Sequence, residues 1–136
     1  MENGGGKLSS EPIRVQVVEA DPDRVPTTLA FLAEIPDIEV VGVAHNRLAT
    51  MNQLEPAQPD VLLVDLMLTG YRGIEIVRHA SNTYPQVRVL ALVPADPPHD
   101  RIILAVQAGA LGYVCRDTGR SEFKTAIQRV HSGEPW

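Results

Sequence analysis

The fold is decided by a short stretch in the middle of the chain, Val61-Leu62-Leu63-Val64-Asp65. Its first four residues are apolar without alternation, which is typical of a strand buried on both faces of a parallel sheet. A charged residue follows at once, so the sequence places a carboxyl group directly after a central strand. This position favours a functional role for that carboxyl group over simple helix capping.

Four further segments are short, apolar and rich in β-branched residues, as strands are: Ile13 to Val18, Ile38 to Ala44, Val87 to Val93 and Leu111 to Cys115. Between the strands, apolar residues recur with the spacing of a helix face. The five predicted faces are Val25, Leu29 and Leu32; Leu48, Met51 and Leu54; Ile74, Val77 and Ala80; Ile102, Ile103 and Val106; and Phe123, Ile127 and Val130. This alternation predicts an α/β protein, a doubly wound parallel sheet of the flavodoxin-like (βα)5 kind with strand order 2-1-3-4-5.

The carboxyl ends of the predicted strands meet at one edge of such a sheet, and their residues are candidates for a site. Strand 1 ends at Glu19-Ala20-Asp21, strand 3 at Asp65, strand 4 at Pro94 and strand 5 at Arg116. Strands 1 and 3 are neighbours at the topological switch point, where ligands bind. The alternative is that the acidic residues cap helices, and Asp21, which precedes a proline, suits an N-cap.

Composition and charge exclude several classes of protein. The chain has 136 residues, 44% hydrophobic and 21% charged, with a net charge of -5, which is typical of one soluble globular domain and not of a nucleic-acid binder. It contains no apolar run of membrane-spanning length, so we expect neither a transmembrane helix nor a secretory signal. One cysteine excludes an internal disulfide, and four scattered histidines do not favour a zinc site. We expect a cytoplasmic domain over residues 12–132, preceded by a disordered lead at residues 1–11.

Three kinds of chemistry use an aspartate at the end of such a strand. A phosphohydrolase of the haloacid dehalogenase type needs a second aspartate two residues later, where this chain has Met67. A cobalamin site of the form Asp-x-His-x-x-Gly fits Asp65 and Gly70, but Met67 replaces the histidine that ligates cobalt. The third possibility is a phosphoacceptor aspartate.

Three segments carry a resemblance to a known family: Pro36 to Gly42, Pro59 to Leu66 and Ala108 to Val114. On these segments the stretch from Ile13 to Pro135 resembles a response-regulator receiver domain, CheY-like in fold, and in particular the receivers of the NarL/LuxR/FixJ group. The resemblance implies two-component signalling, with an aspartate that is phosphorylated by a histidine kinase in the presence of Mg²⁺.

The resemblance also assigns roles to positions of this chain. Asp65 matches the phosphoacceptor, and Tyr113 matches the aromatic residue that changes rotamer on activation. The pocket positions around the acceptor are Glu19, Ala20, Asp21, Pro94 and Arg116. The Mg²⁺ ligands implied are Glu19, Asp65 and the backbone carbonyl of Met67.

Several of these positions depart from the family pattern. Ala20 replaces a metal-binding carboxylate, so we expect Mg²⁺ binding to be weak or absent. Pro94 replaces a serine or threonine and has neither a hydroxyl nor an N–H to hold a phosphoryl oxygen. Arg116 replaces a lysine, and its planar fork suits a bidentate pair with Asp65 or Glu19. Such a pair would be a permanent internal substitute for metal and phosphate.

These departures predict an atypical receiver, or pseudo-receiver, that is not an enzyme and acts through protein–protein contacts. We expect a weak homodimer that does not respond to a phosphodonor. Residues 133–136 resemble the start of a linker to a helix-turn-helix domain, so DNA contact is expected only through such an output domain. The alternatives are a conventional receiver phosphorylated on Asp65 by a histidine kinase and an aspartyl-phosphate hydrolase on the same fold.

Overall fold

The computed structural model of the protein describes residues 11–116 and 118–136, so the expected lead lies outside the described residues except for Glu11. Within these ranges five strands are found: β1 (Ile13–Val18), β2 (Ile38–Ala44), β3 (Val61–Asp65), β4 (Arg88–Val93) and β5 (Gly112–Cys115). The same ranges contain the helices α1 (Val25–Ala33), α2 (Arg47–Ala57), α3 (Arg72–Thr83), α4 (His99–Ala108) and α5 (Arg120–His131). Elements therefore alternate along the chain as the sequence predicts.

The sheet is parallel, and its strand order β2-β1-β3-β4-β5 confirms the predicted flavodoxin-like topology. β3 lies at the centre, and all of its residues are buried. Its side chains alternate between the two faces, so Leu62 and Val64 join one hydrophobic cluster while Val61 and Leu63 join the other. Burying each such leucine contributes about 1.5–3 kcal/mol relative to leaving it in water.

Helices cover both faces of the sheet. The cluster on one face includes Leu54, Ile74 and Ile102 from α2, α3 and α4. The cluster on the other face includes Leu32 from α1 and Phe123 from α5. Both faces of the central strands are thereby removed from water, as a parallel sheet requires. Within the described residues, no helix combines the length and the apolar character needed to cross a membrane.

Three residues assigned to apolar helix faces are exposed, and for these the prediction was wrong. Leu48 on α2 is 71% exposed, and on α4 Ile103 and Val106 are 57% and 51% exposed. α4 packs through Ile102 and Ala105 instead, which are three residues apart on one side of the helix. Ile103 is turned from its neighbour by about 100°, so two adjacent isoleucines cannot both face the core.

Asp21 and Gly109 each define the end of a helical segment. Asp21 caps a short 3-10 turn (Pro22–Arg24) that precedes α1, and its side chain accepts a hydrogen bond of 2.9 Å from the backbone N–H of Asp23. Gly109 ends α4 with a φ of +125°. A Cβ at Gly109 would lie 2.2 Å from the Ser81 hydroxyl oxygen, so this position requires a glycine for two reasons.

Residues 133–136, which follow α5 and its C-cap Ser132, fold back onto the start of β5, and we call this segment the C-terminal hook. The backbone N–H of Trp136 donates to the carbonyl of Leu111 at 3.2 Å. Gly112 lies so close beneath it that a Cβ there would approach the Trp136 carbonyl carbon to 2.8 Å. The guanidinium of Arg129 lies 5.7 Å from the centre of the indole ring, which remains 38% exposed.

Candidate functional site

The residues predicted to meet at the carboxyl edge of the sheet do meet there. Glu19 follows β1 directly, Asp65 is the last residue of β3, and Arg116 follows β5 directly. Both carboxyl groups accept hydrogen bonds from the one guanidinium. The strand order explains this convergence, because β1 and β3 are adjacent and a long arginine reaches across from β5, beyond β4.

Glu19 is wholly buried and is held by two elements. Arg116 donates from Nη1 to Oε2 at 3.0 Å and from Nη2 to Oε1 at 2.6 Å, which is a bidentate pair. The hydroxyl of Thr28 on α1, itself 5% exposed, also donates to Glu19 Oε2. Glu19 is therefore a structural partner of the guanidinium, not a carboxylate that faces solvent.

Both oxygens of Asp65 accept hydrogen bonds, and the residue is only 2% exposed. Oδ1 accepts from the backbone N–H of Met67 at 2.9 Å. Oδ2 accepts from the backbone N–H of Ala20 at 2.8 Å and from Arg116 Nη2 at 2.9 Å. The carboxyl group is thus fixed by the loops after β1 and β3 as well as by the arginine.

Arg116 is mostly buried, with a side chain that is 14% exposed. Burial alone lowers the pKa of a guanidinium, because it disfavours the charged form. The hydrogen bond to Glu19 and the charges of Asp65 and Glu19 outweigh burial and raise the pKa of Arg116 above its ordinary value. Arg116 therefore carries its positive charge at neutral pH.

Beside these charges lies a cleft of about 410 Å³, lined in part by Ala20, Met67 and Pro94. Neither Ala20 nor Pro94 carries a polar side-chain atom. The cleft wall is therefore apolar at the two positions where the family pattern has a carboxylate and a hydroxyl group. Asp21 also lines the cleft, but its carboxylate caps the turn before α1. Tyr113 lies on β5 opposite Ala91 of β4 and is 40% exposed.

Sequence reasoning missed three residues that shape the site. Thr28 binds Glu19, and His45 Nδ1 lies 3.1 Å from the Glu19 carbonyl oxygen. Arg101, in the first turn of α4, donates to the carbonyls of Leu66 and Gly70 at 3.2 and 2.5 Å. These contacts depend on how helices approach the strand ends, and no spacing in the sequence signals them.

Residues 15–128 match the family described as the response regulator receiver domain. The chain belongs to this family. Receiver domains of response regulators interact with histidine kinases and with output domains, and they are generally non-enzymatic. The resemblance drawn from the three sequence segments is thereby confirmed at the level of the family.

The receiver is similar to several transcriptional regulators. It is 34% identical over 125 residues to the response regulator GacA of Pseudomonas viridiflava, covering 90% of this chain and 56% of that protein. It is 33% identical over 103 residues to the DNA-binding transcriptional activator DevR/DosR of Mycobacterium tuberculosis, covering 76% and 47%. The chain therefore spans about half the length of these curated relatives.

Solved structures confirm the fold of the receiver. Its similarity to the signal receiver domain of the response regulator NarL from Mycobacterium tuberculosis has a TM-score of 0.80 at 27% identity, covering 91% of this chain and 99% of that one. A two-component response regulator of the LuxR family from Aurantimonas gives a TM-score of 0.83 at 25% identity, covering 92% and 89%. The receiver thus has LuxR-family structural neighbours.

Receiver domains commonly bind Mg²⁺ at the phosphorylation site, but the residues of this receiver do not fit that ion. Mg²⁺ needs octahedral oxygen ligands at about 2.0–2.1 Å. Both oxygens of Glu19 and one of Asp65 accept hydrogen bonds from Arg116, and Ala20 has no oxygen to offer from its side chain. Across the described residues, no group of three or more His, Cys, Asp or Glu side chains is placed to hold a metal.

Proposed function

We propose that this protein is an atypical receiver whose signalling does not depend on phosphorylation of Asp65. One observation carries the proposal: the Arg116 guanidinium bridges Glu19 and Asp65 at 2.6 and 2.9 Å. In the family pattern this space belongs to a metal ion and to the lysine that binds the phosphoryl group. An internal arginine fills it here, and bidentate, charge-assisted pairing makes that arrangement strong and geometrically specific.

Phosphorylation of Asp65 would have to break this arrangement. A phosphoryl group adds about 1.5–2 negative charges at neutral pH, and its transfer relies on positive charge placed around it. The oxygen to be modified already accepts a hydrogen bond from a backbone N–H or from Arg116. Removing those donors from a carboxylate that is 2% exposed costs more than it would at the surface.

Pro94 removes the side-chain contact through which phosphorylation of Asp65 would change the conformation of Tyr113 at the surface. In the family pattern a hydroxyl at this position binds the phosphoryl group and moves together with the aromatic residue on strand 5. Pro94 has no hydroxyl and no N–H to bind the phosphoryl group. A rotamer change of Tyr113 therefore cannot be coupled to phosphoryl binding at this position. This proposal leaves Tyr113 as a surface aromatic residue, in keeping with its 40% exposure.

The output of such a receiver is a protein–protein contact. Because the related regulators include a DNA-binding transcriptional activator, we assign this chain to the control of a DNA-binding output domain of the LuxR type. We also expect weak self-association, with the polar flank of α5, exposed at Gln128 and Arg129, as the candidate surface. We do not assign hydrolase activity, because Met67 occupies the position of the second aspartate of a phosphohydrolase.

The test is phosphorylation in vitro with acetyl phosphate, followed by intact-mass measurement. The wild-type chain is compared with a variant that restores the family residues, Ala20→Asp/Pro94→Thr/Arg116→Lys. We expect little modification of the wild type and clear modification of the restored variant, abolished when Asp65→Asn is added. Near-complete modification of the wild type at Asp65 would contradict the proposal and favour a conventional receiver that is phosphorylated by a histidine kinase.

A second measurement separates the hydrolase alternative. The wild-type chain is incubated with a generic phosphate ester, and released phosphate is followed over time. We expect no release above that of the Asp65→Asn variant. Turnover that depends on Asp65 would assign the site to phosphate hydrolysis and would remove the proposal.

A further inference from the structure

A second cavity lies beside the bridging arginine, between α1, β4 and α5. Its volume is about 230 Å³, and it shares Arg24 and Arg116 with the larger cleft. Its apolar wall is formed by Phe31, Leu92 and Phe123, and the two phenyl rings meet edge to face with centroids 5.9 Å apart. The cavity therefore combines an aromatic floor with two guanidinium groups.

The charges that line this cavity have one sign. Among the described residues of its lining, the charged ones are Arg24 and Arg116, and Thr27 adds a hydroxyl group, whereas the hydroxyl proton of Thr28 is already donated to Glu19. The carboxyl group of Asp65 lines the neighbouring cleft instead, and Glu19 is wholly buried. Arg24 is 54% exposed, and its pair with Asp21 is long, at 3.7 Å. A ligand in this cavity thus meets hydrogen-bond donors and apolar surface.

We propose that this cavity binds a small organic carboxylate with a compact apolar body. The guanidinium groups suit a carboxylate, since arginine forms planar, charge-assisted pairs with that group. The phenyl rings and Leu92 suit one aromatic or branched aliphatic group. Cavities for drug-sized ligands run from about 300 to 1,000 Å³, so 230 Å³ restricts the ligand to roughly one ring.

The regulatory meaning of this site rests on the proposed function, whereas the binding itself does not. Arg116 lines the cavity and holds Glu19 and Asp65 at the same time. A carboxylate that takes a donor from Arg116 competes with these internal carboxylates. By thermodynamic linkage, the free energy by which the ligand destabilises the ion pairs of Arg116 with Glu19 and Asp65 equals the free energy by which these pairs weaken ligand binding. A small molecule would then replace phosphate as the input to this receiver.

The experiment uses three probes of one shape and different charge: benzoate, benzyl alcohol and benzylammonium. Each is titrated into the ¹⁵N-labelled chain, and amide and arginine Nε–H shifts are followed by NMR. We expect benzoate to shift the amides of Thr27, Thr28 and Phe123 and the Nε–H of Arg116, with saturation at millimolar concentration. Benzyl alcohol and benzylammonium should bind at least about tenfold more weakly, since each lacks the charge-assisted pair.

Variants give the proposal matched controls. Arg24→Gln should weaken benzoate binding about tenfold, whereas Arg78→Gln on α3, on the other face of the sheet, should leave it unchanged. Asp65→Asn should tighten benzoate binding severalfold, because Arg116 then has one fewer internal carboxylate. Equal binding of benzoate and benzyl alcohol, or equal binding to wild type and Arg24→Gln, would overturn the proposed ligand class. Unchanged affinity in Asp65→Asn would overturn the coupling through Arg116.

The two proposals fail in different ways. If about 10 mM benzoate causes no chemical-shift change, any affinity is too weak for a ligand site, and the proposed binding site is overturned. The acetyl phosphate measurement stays as it was in that case, so the proposed function survives. Efficient phosphorylation of Asp65 together with benzoate binding would instead overturn the proposed function and leave the cavity as a ligand site.

Discussion

At the carboxyl end of β5, Arg116 reaches two buried carboxyl groups, whereas at its amino end Gly112 lies beneath the backbone of Trp136. The first end is held by charge, inside the protein, through hydrogen bonds of 2.6 to 3.0 Å. The second is held by shape, at the surface, by close approach of one chain segment to another. The two ends of this four-residue strand therefore respond to different substitutions. The carboxyl end is sensitive to the loss of a charge, and the amino end is sensitive to added side-chain volume.

The comparison separates two kinds of damage. Removing one partner at the charged end leaves a buried charge without compensation, which is among the costliest changes a protein can suffer. Removing a charge at the hook costs little, because Arg129 and Glu134 are about half exposed. Adding one methyl group at Gly112 costs more, since the neighbouring atoms include backbone.

The largest effect is expected from Arg116→Met, which should lower the free energy of unfolding by about 3–5 kcal/mol because it strands two buried carboxyl groups. Urea denaturation at neutral pH measures the loss. The matched control, Glu19→Gln/Asp65→Asn/Arg116→Met, should recover part of it, because no charge is then left buried. A loss below about 1 kcal/mol in the single variant would show that the bridge carries little of the structure.

Thr28→Val should lower the free energy of unfolding by about 1.5–3 kcal/mol, because its hydroxyl donates to a buried carboxylate. The neighbouring substitution Thr27→Val, at an exposed residue of the same helix turn, should cost little and serves as the control. Both are measured by urea denaturation. Equal losses for the two variants would contradict the role of Thr28 in holding Glu19.

At the other end of β5, Gly112→Ala should displace the C-terminal hook and cost about 1–3 kcal/mol, as overpacking does. The chain has one tryptophan, so a red shift of its emission reports the displacement directly. Gly119→Ala is the control, because an added Cβ there meets nothing within 4 Å. An unshifted spectrum in Gly112→Ala, matching that of Gly119→Ala, would contradict the close packing of Trp136 over Gly112.

The smallest effect is expected from Arg129→Gln, which removes the guanidinium 5.7 Å from the Trp136 ring and its pair with Glu134. Exposed contacts of this kind contribute about 0.5–1 kcal/mol. Thermal unfolding followed by tryptophan emission measures the change, and Arg129→Lys, which keeps the charge, should retain most of the stability. A loss as large as that of Gly112→Ala would mean that charge holds this end too.

The fold was predictable because its decisive signals are local. Val61 to Val64 is uninterrupted apolar sequence, and the alternation of strands with helices leaves few topologies to consider. The meeting of Glu19, Asp65 and Arg116 followed from strand order alone, since the carboxyl ends of parallel strands share an edge. The sequence left open which carboxyl group Arg116 would pair with, and the structure pairs it with both.

What could not be predicted depends on tertiary approach. Thr28 looks like an ordinary helix residue until α1 packs against the end of β1. Ile103 and Val106 continue an apolar pattern that the packing of α4 does not use, so they remain exposed. The C-terminal hook begins at Gly133, whose φ of +86° is the usual glycine signal for a helix end, but its close approach to Gly112 has no signature in the sequence.

Arg101 gives the molecule a mechanical property as well as a structural one. It sits in the first turn of α4, grips the carbonyls of Leu66 and Gly70, and lies 4.9 Å from the centre of the Tyr71 ring. Both ends of the loop after Asp65 are therefore hydrogen-bonded to α4 through one side chain. If a partner bound to the exposed side of α4 displaced this helix, the hydrogen bonds of Arg101 would move the loop with it. The displacement would reach Leu66, one residue away from Asp65.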